Sequence, residues 1–444
     1  MSKKSYSDKV MTVLDHKLEK LERDKYELGL LTDDRFFKRS SRKLDFKQDM
    51  KILMSIGSSS MKKELYRYFN FDSDTVSLPG FSYSRAKIGE KAFKAIVDMM
   101  NRVYPMNETY KGYSLIAVDG SELPVCNDPK DNDSHCADAS IDGHSSLHIN
   151  ALYDVLNHRY LDCIIQPLKK KHEINAMISM VDDYKGDKAI FMGDRFYGTF
   201  NGIEHLRHTG HNFLVRIKDL ESRNFIFKNV KAIPSGSEFD MDIHITLTDL
   251  RSRKYKSLPD IYKVLSDNST FDYLDKENRF YEADYRIVRF LINGEEKYET
   301  IITNLDRELF PSKTIKELYR LRWQIEISYR HLKYSVGLNA LHSKRRDFIR
   351  QEILSRMVMF NISMIITDYV QKTKIDKKKK KWEYMVNITM AIFFTKEYII
   401  KRKGGDPPDL ENLIAGQIEP IRPDRNFTRN VKSQPYVSFG YRFS

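Results

Sequence analysis

The sequence predicts a mixed α/β sheet flanked by helices, with a β-rich insertion and a helical N-terminal region. Three changes in pattern along the chain support this fold class. Residues 1–105 carry apolar positions at helical spacing, residues 106–218 alternate short apolar strands with helices, and residues 219–301 contain short alternating stretches separated by charged turns. Residues 302–370 return to a strand and then strongly helical patterns, and residues 371–444 form a basic C-terminal region.

The composition fits a globular protein with a polyanionic partner. The 444 residues are 41% hydrophobic, and 75 lysines and arginines against 62 acidic residues give a net charge of +13, which favours nucleic acid. Three widely spaced cysteines argue against a disulfide framework or a zinc pair. We see no signal-peptide core and no membrane span, so we expect a cytoplasmic protein without a membrane partner, and a buried helix around Met357–Ile366.

Lysines and arginines interleave with apolar positions in the N-terminal region, for example in Asp45–Asn70. A turn is expected at Pro79–Gly80, followed by one helix with Arg85 and Lys87 near its start. Basic helices joined by short turns suit contacts with the DNA backbone. The same pattern also fits an ordinary solvated helical bundle.

Two aspartates are expected at the carboxyl ends of strands. Asp119 ends the apolar run LIAVD ahead of a turn at Gly120, and Asp194 follows the buried run AIFMG. Strand ends of this kind are frequent active-site positions in α/β sheets. The alternatives are that Asp119-Gly120 is only a turn and that Asp194 only caps the following helix.

A third acidic residue lies on a predicted helix. Tyr319, Arg322, Glu326, Arg330 and Lys333 are spaced by three, four, four and three residues, which predicts one helix face. The pattern also fits a surface helix with salt bridges.

Carboxylates and cations together suggest phosphoryl transfer. Three carboxylates can bind two Mg²⁺ ions that clamp the attacking and leaving oxygens. Neighbouring cations can grip a DNA phosphate.

At these residues the chain resembles the IS4 family of bacterial insertion-sequence transposases. The family signature Tyr-x2-Arg-x3-Glu-x6-Lys is matched at Tyr319, Arg322, Glu326 and Lys333. The motifs VDGS and GDR resemble the surroundings of the family's first and second aspartates, here Asp119 and Asp194. The spacing before the glutamate also agrees with a β-rich insertion.

The resemblance implies an RNase H-like catalytic core and a DNA-binding N-terminal region. Asp119, Asp194 and Glu326 would hold two Mg²⁺ ions, with Mn²⁺ as a substitute. The enzyme would nick transposon ends and transfer the 3′-OH into target DNA.

The resemblance also implies partners and a location. Tyr319, Arg322 and Lys333, with Arg330 beside them, would hold double-stranded DNA, both the terminal inverted repeats and the target. A homodimer is expected in the DNA complex, in the bacterial cytoplasm and at the nucleoid during the reaction.

Two features depart from the family pattern. The second aspartate is usually followed by Arg-Gly-aromatic, whereas here Gly198 comes two residues later. Some relatives stack a flipped base on a tryptophan of the insertion, but residues 219–301 contain none, and Trp323 is expected to be a packing residue. A hairpin route would have to use another aromatic residue of the insertion: Tyr255, Tyr262, Phe271 or Tyr273.

Other functions stay open from the sequence. A two-metal nuclease would hydrolyse DNA without strand transfer, and a decayed transposase would bind DNA without catalysis. A metal site formed by His135, Cys136, His144 and His148 is a weaker alternative, because their spacing matches no known ligand pattern.

Overall fold

The computed structural model describes residues 5–33, 36–37, 43–138, 141–234, 236–292, 297–375, 383–403 and 407–421, without the side chains of residues 138, 141, 142 and 403. The five-lysine run at 377–381, Trp382 and residues 422–444 lie outside the described residues.

Five helices form the N-terminal region, as its apolar spacing predicts. They are α1 (Tyr6–Asp24), α2 (Phe46–Ser55), α3 (Met61–Tyr68), α4 (Leu78–Arg85) and α5 (Glu90–Val103).

The expected turn at Pro79–Gly80 is wrong. Both residues lie in the first turn of α4, where Ser77 caps the helix by accepting a bond from the Gly80 amide. Proline suits this position because its missing N–H would have no partner inside the helix. The single long helix expected after the turn is two helices, since α4 ends at Arg85 and α5 begins at Glu90.

The central part of the chain forms strands and helices close to those predicted. In chain order these are β1 (Ser114–Val125), β2 (His135–Asp138), β3 (Ile141–Asp154), β4 (Arg159–Pro167), a short 3₁₀ turn (Leu168–Lys170), α6 (Glu173–Asp182), β5 (Ala189–Gly193), α7 (Phe200–His208) and β6 (Asn212–Ile217). The turn between β3 and β4 contains Asn157, whose side chain and amide bond to Asp154 Oδ1.

The segment from 219 to 301 contains strands, as expected, but they continue the same sheet. Its elements are β7 (Phe239–Thr248), α8 (Arg253–Lys256), β8 (Tyr262–Val264), β9 (Phe280–Leu291) and β10 (Tyr298–Thr303). Among the described residues the sheet has ten strands in the order β2-β3-β1-β5-β6-β10-β9-β7-β8, with β4 also paired to β3. Strand β10 pairs with β6 in the main sheet, in agreement with the return to a strand pattern expected near residue 302.

Helices dominate the chain after β10. They are α9 (Ser312–Leu321), α10 (Gln324–Arg330), a π-helical turn (His331–Ser335) and α11 (Arg346–Thr373), followed by β11 (Tyr384–Val386), α12 (Ile388–Lys403), α13 (Leu410–Ala415) and β12 (Ile418–Pro420). The basic C-terminal region contains regular structure at 410–420, where α13 is capped by Asp409 and β12 pairs with β11.

The two faces of the sheet bury two apolar clusters. Alternate residues of β1 point to opposite faces: Leu115 and Ala117 pack with α1, α2, α5 and α11, whereas Ile116 and Val118 pack with α6 and α7. The N-terminal helices therefore share a core with the sheet.

Helix α11 is the buried helix expected around Met357–Ile366. It is the one described helix long and apolar enough to cross a membrane by length and composition. Its most apolar 18-residue window is 89% buried inside the protein, which is typical of a core helix.

Arg85 does not lie on a surface that could contact DNA. It is 2% exposed, and its guanidinium bonds to Gln351 Oε1 (3.0 Å), to Glu352 Oε1 (3.3 Å) and to the Phe348 carbonyl (3.0 Å). The suggested contact between Arg85 and the DNA backbone is therefore wrong in this structure, because the residue joins α4 to α11. Lys87 is partly exposed and lies 3.6 Å from Asp33.

We predict that Arg85→Ala destabilises the protein by about 3–5 kcal/mol, because it leaves the buried Glu352 without one of its cations. Urea denaturation measures this loss. The control Lys87→Ala removes a partly exposed ion pair and should cost about 1 kcal/mol or less. Unchanged stability together with weaker DNA binding in Arg85→Ala would contradict the structural role.

Asp49 makes folding stability depend on pH. Burial between α2 and α4 raises the pKa of this carboxyl to about 8, although Ser84 bonds to it. The raised pKa favours folding below the unfolded-state pKa of about 4, and this contribution is lost as the pH rises towards 8. We expect Asp49→Asn to gain thermal stability over the wild type progressively between these pH values. A melting-temperature difference that does not change with pH would disprove it.

Candidate active site

Asp119 lies in the middle of a strand and not at its end. Strand β1 runs on through Gly120 to Val125, so the expected turn is wrong. Gly120 pairs with Asn150 of β3, which keeps the strand extended. On its other side β1 pairs with β5 in parallel only as far as Val118 beside Gly193. Asp119 is therefore the first residue of β1 beyond this pairing.

Asp194 directly follows β5, as the sequence predicts. Gly193 lies beside Val118 in the last pair of the β1–β5 ladder. The residues that follow them, Asp194 and Asp119, therefore lie at the same edge of the sheet. The Asp194 carboxylate accepts a bond from the Phe196 amide (2.8 Å). This bond forms a turn at the start of the loop after β5. The same loop contains Gly198, the glycine that comes later than in the family pattern.

Glu326 lies on α10, and the helix that carries it is not continuous. Helix α9 ends at Leu321, α10 begins at Gln324, and the chain then widens into the π-helical turn at His331–Ser335. The expected single helix face is therefore wrong. At the break, the amides of Arg322 and Trp323 donate to the carbonyls of Tyr319 and Arg320, three residues earlier. This is the hydrogen-bond pattern of a 3₁₀ turn, which is wound more tightly than an α-helix.

Two side chains hold α10 and the π-helical turn against β1. The Tyr329 hydroxyl donates to the Asp119 carbonyl (2.9 Å). The Lys333 ammonium donates to Ser121 Oγ and to the Glu122 carbonyl, both at 2.8 Å. These bonds bring Glu326 to the edge where Asp119 and Asp194 lie.

Burial and neighbouring charges set the pKa of Asp119. Burial raises the pKa of Asp119 to about 7; the charge of Arg322 opposes the rise, and the charges of Glu326 and Asp194 add to it. Arg322 also bonds to Glu326 Oε1 at 3.1 Å. One buried guanidinium thus offsets part of the repulsion among three carboxylates.

The four predicted DNA-contact residues have different environments. Tyr319 is 1% exposed and Arg322 is 4% exposed, so neither offers a surface to DNA in this state. Tyr319 belongs to the apolar core under α9, and Arg322 is directed at Glu326. Arg330 is exposed, and Lys333 is partly buried against β1.

Exposed aromatic rings lie beside these residues. Trp323, expected to be a packing residue, is 45% exposed, and the Arg322 guanidinium carbon lies 5.0 Å from the centre of its ring. Phe196 after Asp194 and Tyr334 after Lys333 are also exposed. Cations and exposed rings together are typical of surfaces that bind nucleic acids.

Sequence reasoning missed three residues at this edge. Tyr329 bonds to the Asp119 carbonyl, and the Tyr197 amide bonds to the Asp194 carbonyl. Glu173 lies against Gly120, the residue after Asp119. His148, considered only as part of a histidine-cysteine metal site, instead lies 3.4 Å from Glu173. The available signal was Gly120, a glycine inside a strand, which often marks a close approach by another group.

The donor set suits a hard divalent cation, although it is not gathered into a ligand cluster. Within the described residues, no group of three or more histidine, cysteine, aspartate or glutamate side chains is close enough to hold a metal ion. The oxygens of Asp119, Asp194 and Glu326 are nevertheless the ligand type that Mg²⁺ prefers. A cation would also relieve the repulsion that raises the pKa of Asp119.

The chain is similar in sequence to known transposases. Transposase InsG of insertion sequence element IS4 from Escherichia coli K12 is 26% identical over 140 residues, which are 30% of this chain and 31% of the relative. The transposase of element IS421 from Escherichia coli is 28% identical over 71 residues, 16% of this chain and 18% of the relative. The chain thus matches about a third or less of the length of these curated relatives.

A solved structure, the piggyBac transposase synaptic complex with hairpin DNA, aligns with 95% of this chain and 86% of its own, at 9% identity and a TM-score of 0.45. The family model described as the transposase DDE domain matches residues 110–362, more than half of the chain, and includes all three acidic residues. The chain therefore belongs to the family of proteins with a transposase DDE domain.

Proposed function

We propose that this protein is a cut-and-paste DNA transposase that nicks the ends of its element and joins the freed 3′-OH to target DNA. The observation that carries the proposal is the convergence of Asp119, Asp194 and Glu326 on one edge of the sheet. These residues come from two adjacent parallel strands and from a helix bonded to the first of them. Their positions match the acidic residues of the family's catalytic pattern.

The strand order supports an RNase H-like catalytic core. Strands β4, β3 and β1 are antiparallel neighbours, and β5 and β6 continue from β1 in parallel. We assign the core to these five strands, and we assign β7 to β10 to an insertion that widens the sheet before the chain returns to α10.

Asp119, Asp194 and Glu326 would hold two Mg²⁺ ions, with Mn²⁺ as a substitute. When bound, the ions supply a water of lowered pKa and stabilise the leaving oxygen of the phosphodiester. Arg322 contributes from the protein side by holding Glu326 in place through the 3.1 Å bond. Tyr329 and Lys333 position the helix against β1, so that the third carboxylate stays near the first.

DNA would approach over the exposed side of α10. Arg330 is exposed there, and Trp323 and Tyr334 add exposed rings. We assign phosphate contacts to Arg330 and Lys333, and a supporting role behind them to Tyr319 and Arg322. The net charge of +13 favours the approach of double-stranded DNA, both inverted repeats and target.

Assembly and location follow from the family resemblance. We propose a homodimer in the DNA complex, because the two ends of an element must be cut and joined together. The reaction would take place on the bacterial nucleoid in the cytoplasm.

We predict that Asp119→Asn and Glu326→Gln each abolish Mg²⁺-dependent nicking, because each removes a charged ligand from the metal site while keeping its shape. The substrate is labelled DNA that carries the sequences flanking the gene for this protein, followed by a supercoiled target. Nicks should map to the inverted-repeat boundary, and the freed 3′-OH should appear joined to the target.

The same assay distinguishes the alternatives. Cleavage unrelated to the ends, or cleavage without joined products, would indicate a nuclease. Binding at the ends without cleavage in the wild type would indicate a decayed enzyme. Asp182→Asn is the control, because it removes a partly exposed carboxylate at the end of α6, and it should nick like the wild type.

A further prediction concerns Arg330. Its replacement by alanine should weaken end binding and reduce the slope of log K against log salt by about one, because one phosphate contact is lost. Filter binding at several salt concentrations measures the slope. Arg279→Ala removes the same charge just before β9, at the far end of the sheet, and should leave the slope unchanged; equal effects of the two variants would argue against a specific contact.

A further inference from the structure

A second polar cluster lies on the other face of β1, directly beside the first aspartate. His148 of β3 and Glu173 at the start of α6 both pack against Gly120. A Cβ atom placed on Gly120 would lie 2.4 Å from His148 Nε2 and 2.9 Å from Glu173 Oε2. A side chain at position 120 would therefore force His148 and Glu173 to move.

The cluster contains buried polar atoms that lack partners. His148 is buried, and its Nε2 lies 3.4 Å from Glu173 Oε1, which is too long for a normal hydrogen bond. Among the described residues, the two ring nitrogens of His148 and the Tyr197 hydroxyl have no hydrogen-bond partner. Tyr197 is only 1% exposed. Buried groups of this kind usually have a partner, so the missing one points to a ligand or ordered water.

Tyr197 lies beside the end of β5, in the loop that Asp194 begins. Its amide donates to the Asp194 carbonyl (3.1 Å), and its Cβ atom would lie 3.1 Å from a Cβ atom placed on Gly193. Because Gly193 pairs with Val118, Tyr197 and Glu173 lie next to the two strand positions that Asp194 and Asp119 follow. Glu326 approaches the same edge from α10, which packs on the opposite face of β1.

We propose that Glu173 is a fourth functional carboxylate of the active site, and that with the Tyr197 hydroxyl it hydrogen-bonds the water shell of the divalent cations. This inference rests on the proposed function, in which Asp119 and Asp194 bind those cations. Mg²⁺ keeps several of its waters when bound to proteins, and each water needs an acceptor. Groups that orient such waters strengthen metal binding without touching the metal. His148 is a positioning residue, because it packs beside Glu173 over Gly120 and limits where that carboxylate can lie.

Metal affinity, not activity alone, tests the proposal. The full chain is titrated with Mn²⁺ without DNA, and free Mn²⁺ is followed by electron paramagnetic resonance. We expect Glu173→Gln to weaken Mn²⁺ binding by about 10-fold, the lower end of the effect of such outer groups. Asp182→Asn, at the other end of the same helix, should bind Mn²⁺ like the wild type.

A second variant separates binding from folding. Tyr197→Phe deletes only an unpartnered buried hydroxyl, so its melting temperature without metal should equal or exceed that of the wild type. It should nevertheless bind Mn²⁺ several-fold more weakly. A residue that only packs α6 and the β5 loop would not produce this combination.

Asp119→Asn serves as the reference variant. If it loses Mn²⁺ binding while Glu173→Gln and Tyr197→Phe keep wild-type affinity, the inference about the fourth carboxylate is overturned and the proposed function stands. If Asp119→Asn itself binds Mn²⁺ normally, the metal site of the proposed function is overturned as well.

Discussion

The parallel pairing of β1 with β5 is the constraint on which the rest of the structure depends. Val118 beside Gly193 sets Asp119 and Asp194 at the same edge of the sheet, although 74 residues lie between them. Both strands are buried on both faces, so a shift of one residue would turn apolar side chains out of two cores at once. The hydrophobic effect thus fixes the register, and the register brings the two carboxylates together.

Charge is balanced locally at this edge. Burial raises the pKa of Asp119, and repulsion from the carboxylates of Glu326 and Asp194 raises it further. Arg322 is placed under α10 where it offsets the repulsion, which explains why an arginine of the family signature is almost wholly buried. Arg322 offsets only part of the repulsion among the carboxylates, and a bound divalent cation would offset the rest.

The surrounding helices pack against the sheet that carries this edge. Helix α11 packs on one face of the sheet and also contacts α1, α2 and α5, so the N-terminal helices support the candidate active site. The buried pair of Arg85 and Glu352 connects α4 to α11 in the same core. A region that looks like a separate basic bundle in the sequence therefore contributes to the stability of the whole protein, and only its exposed cations are available to DNA.

Local apolar periodicity and residue identity are enough to predict the strands around Asp119 and Asp194, the helical regions and the signature residues up to Lys333. The folded chain adds that β1 continues through Gly120, that the helix breaks before Glu326, and that Tyr319 and Arg85 are buried. It also placed His148 and Glu173 beside Gly120. Each of these results depends on contacts between residues far apart in the chain, where packing and desolvation outweigh local propensity.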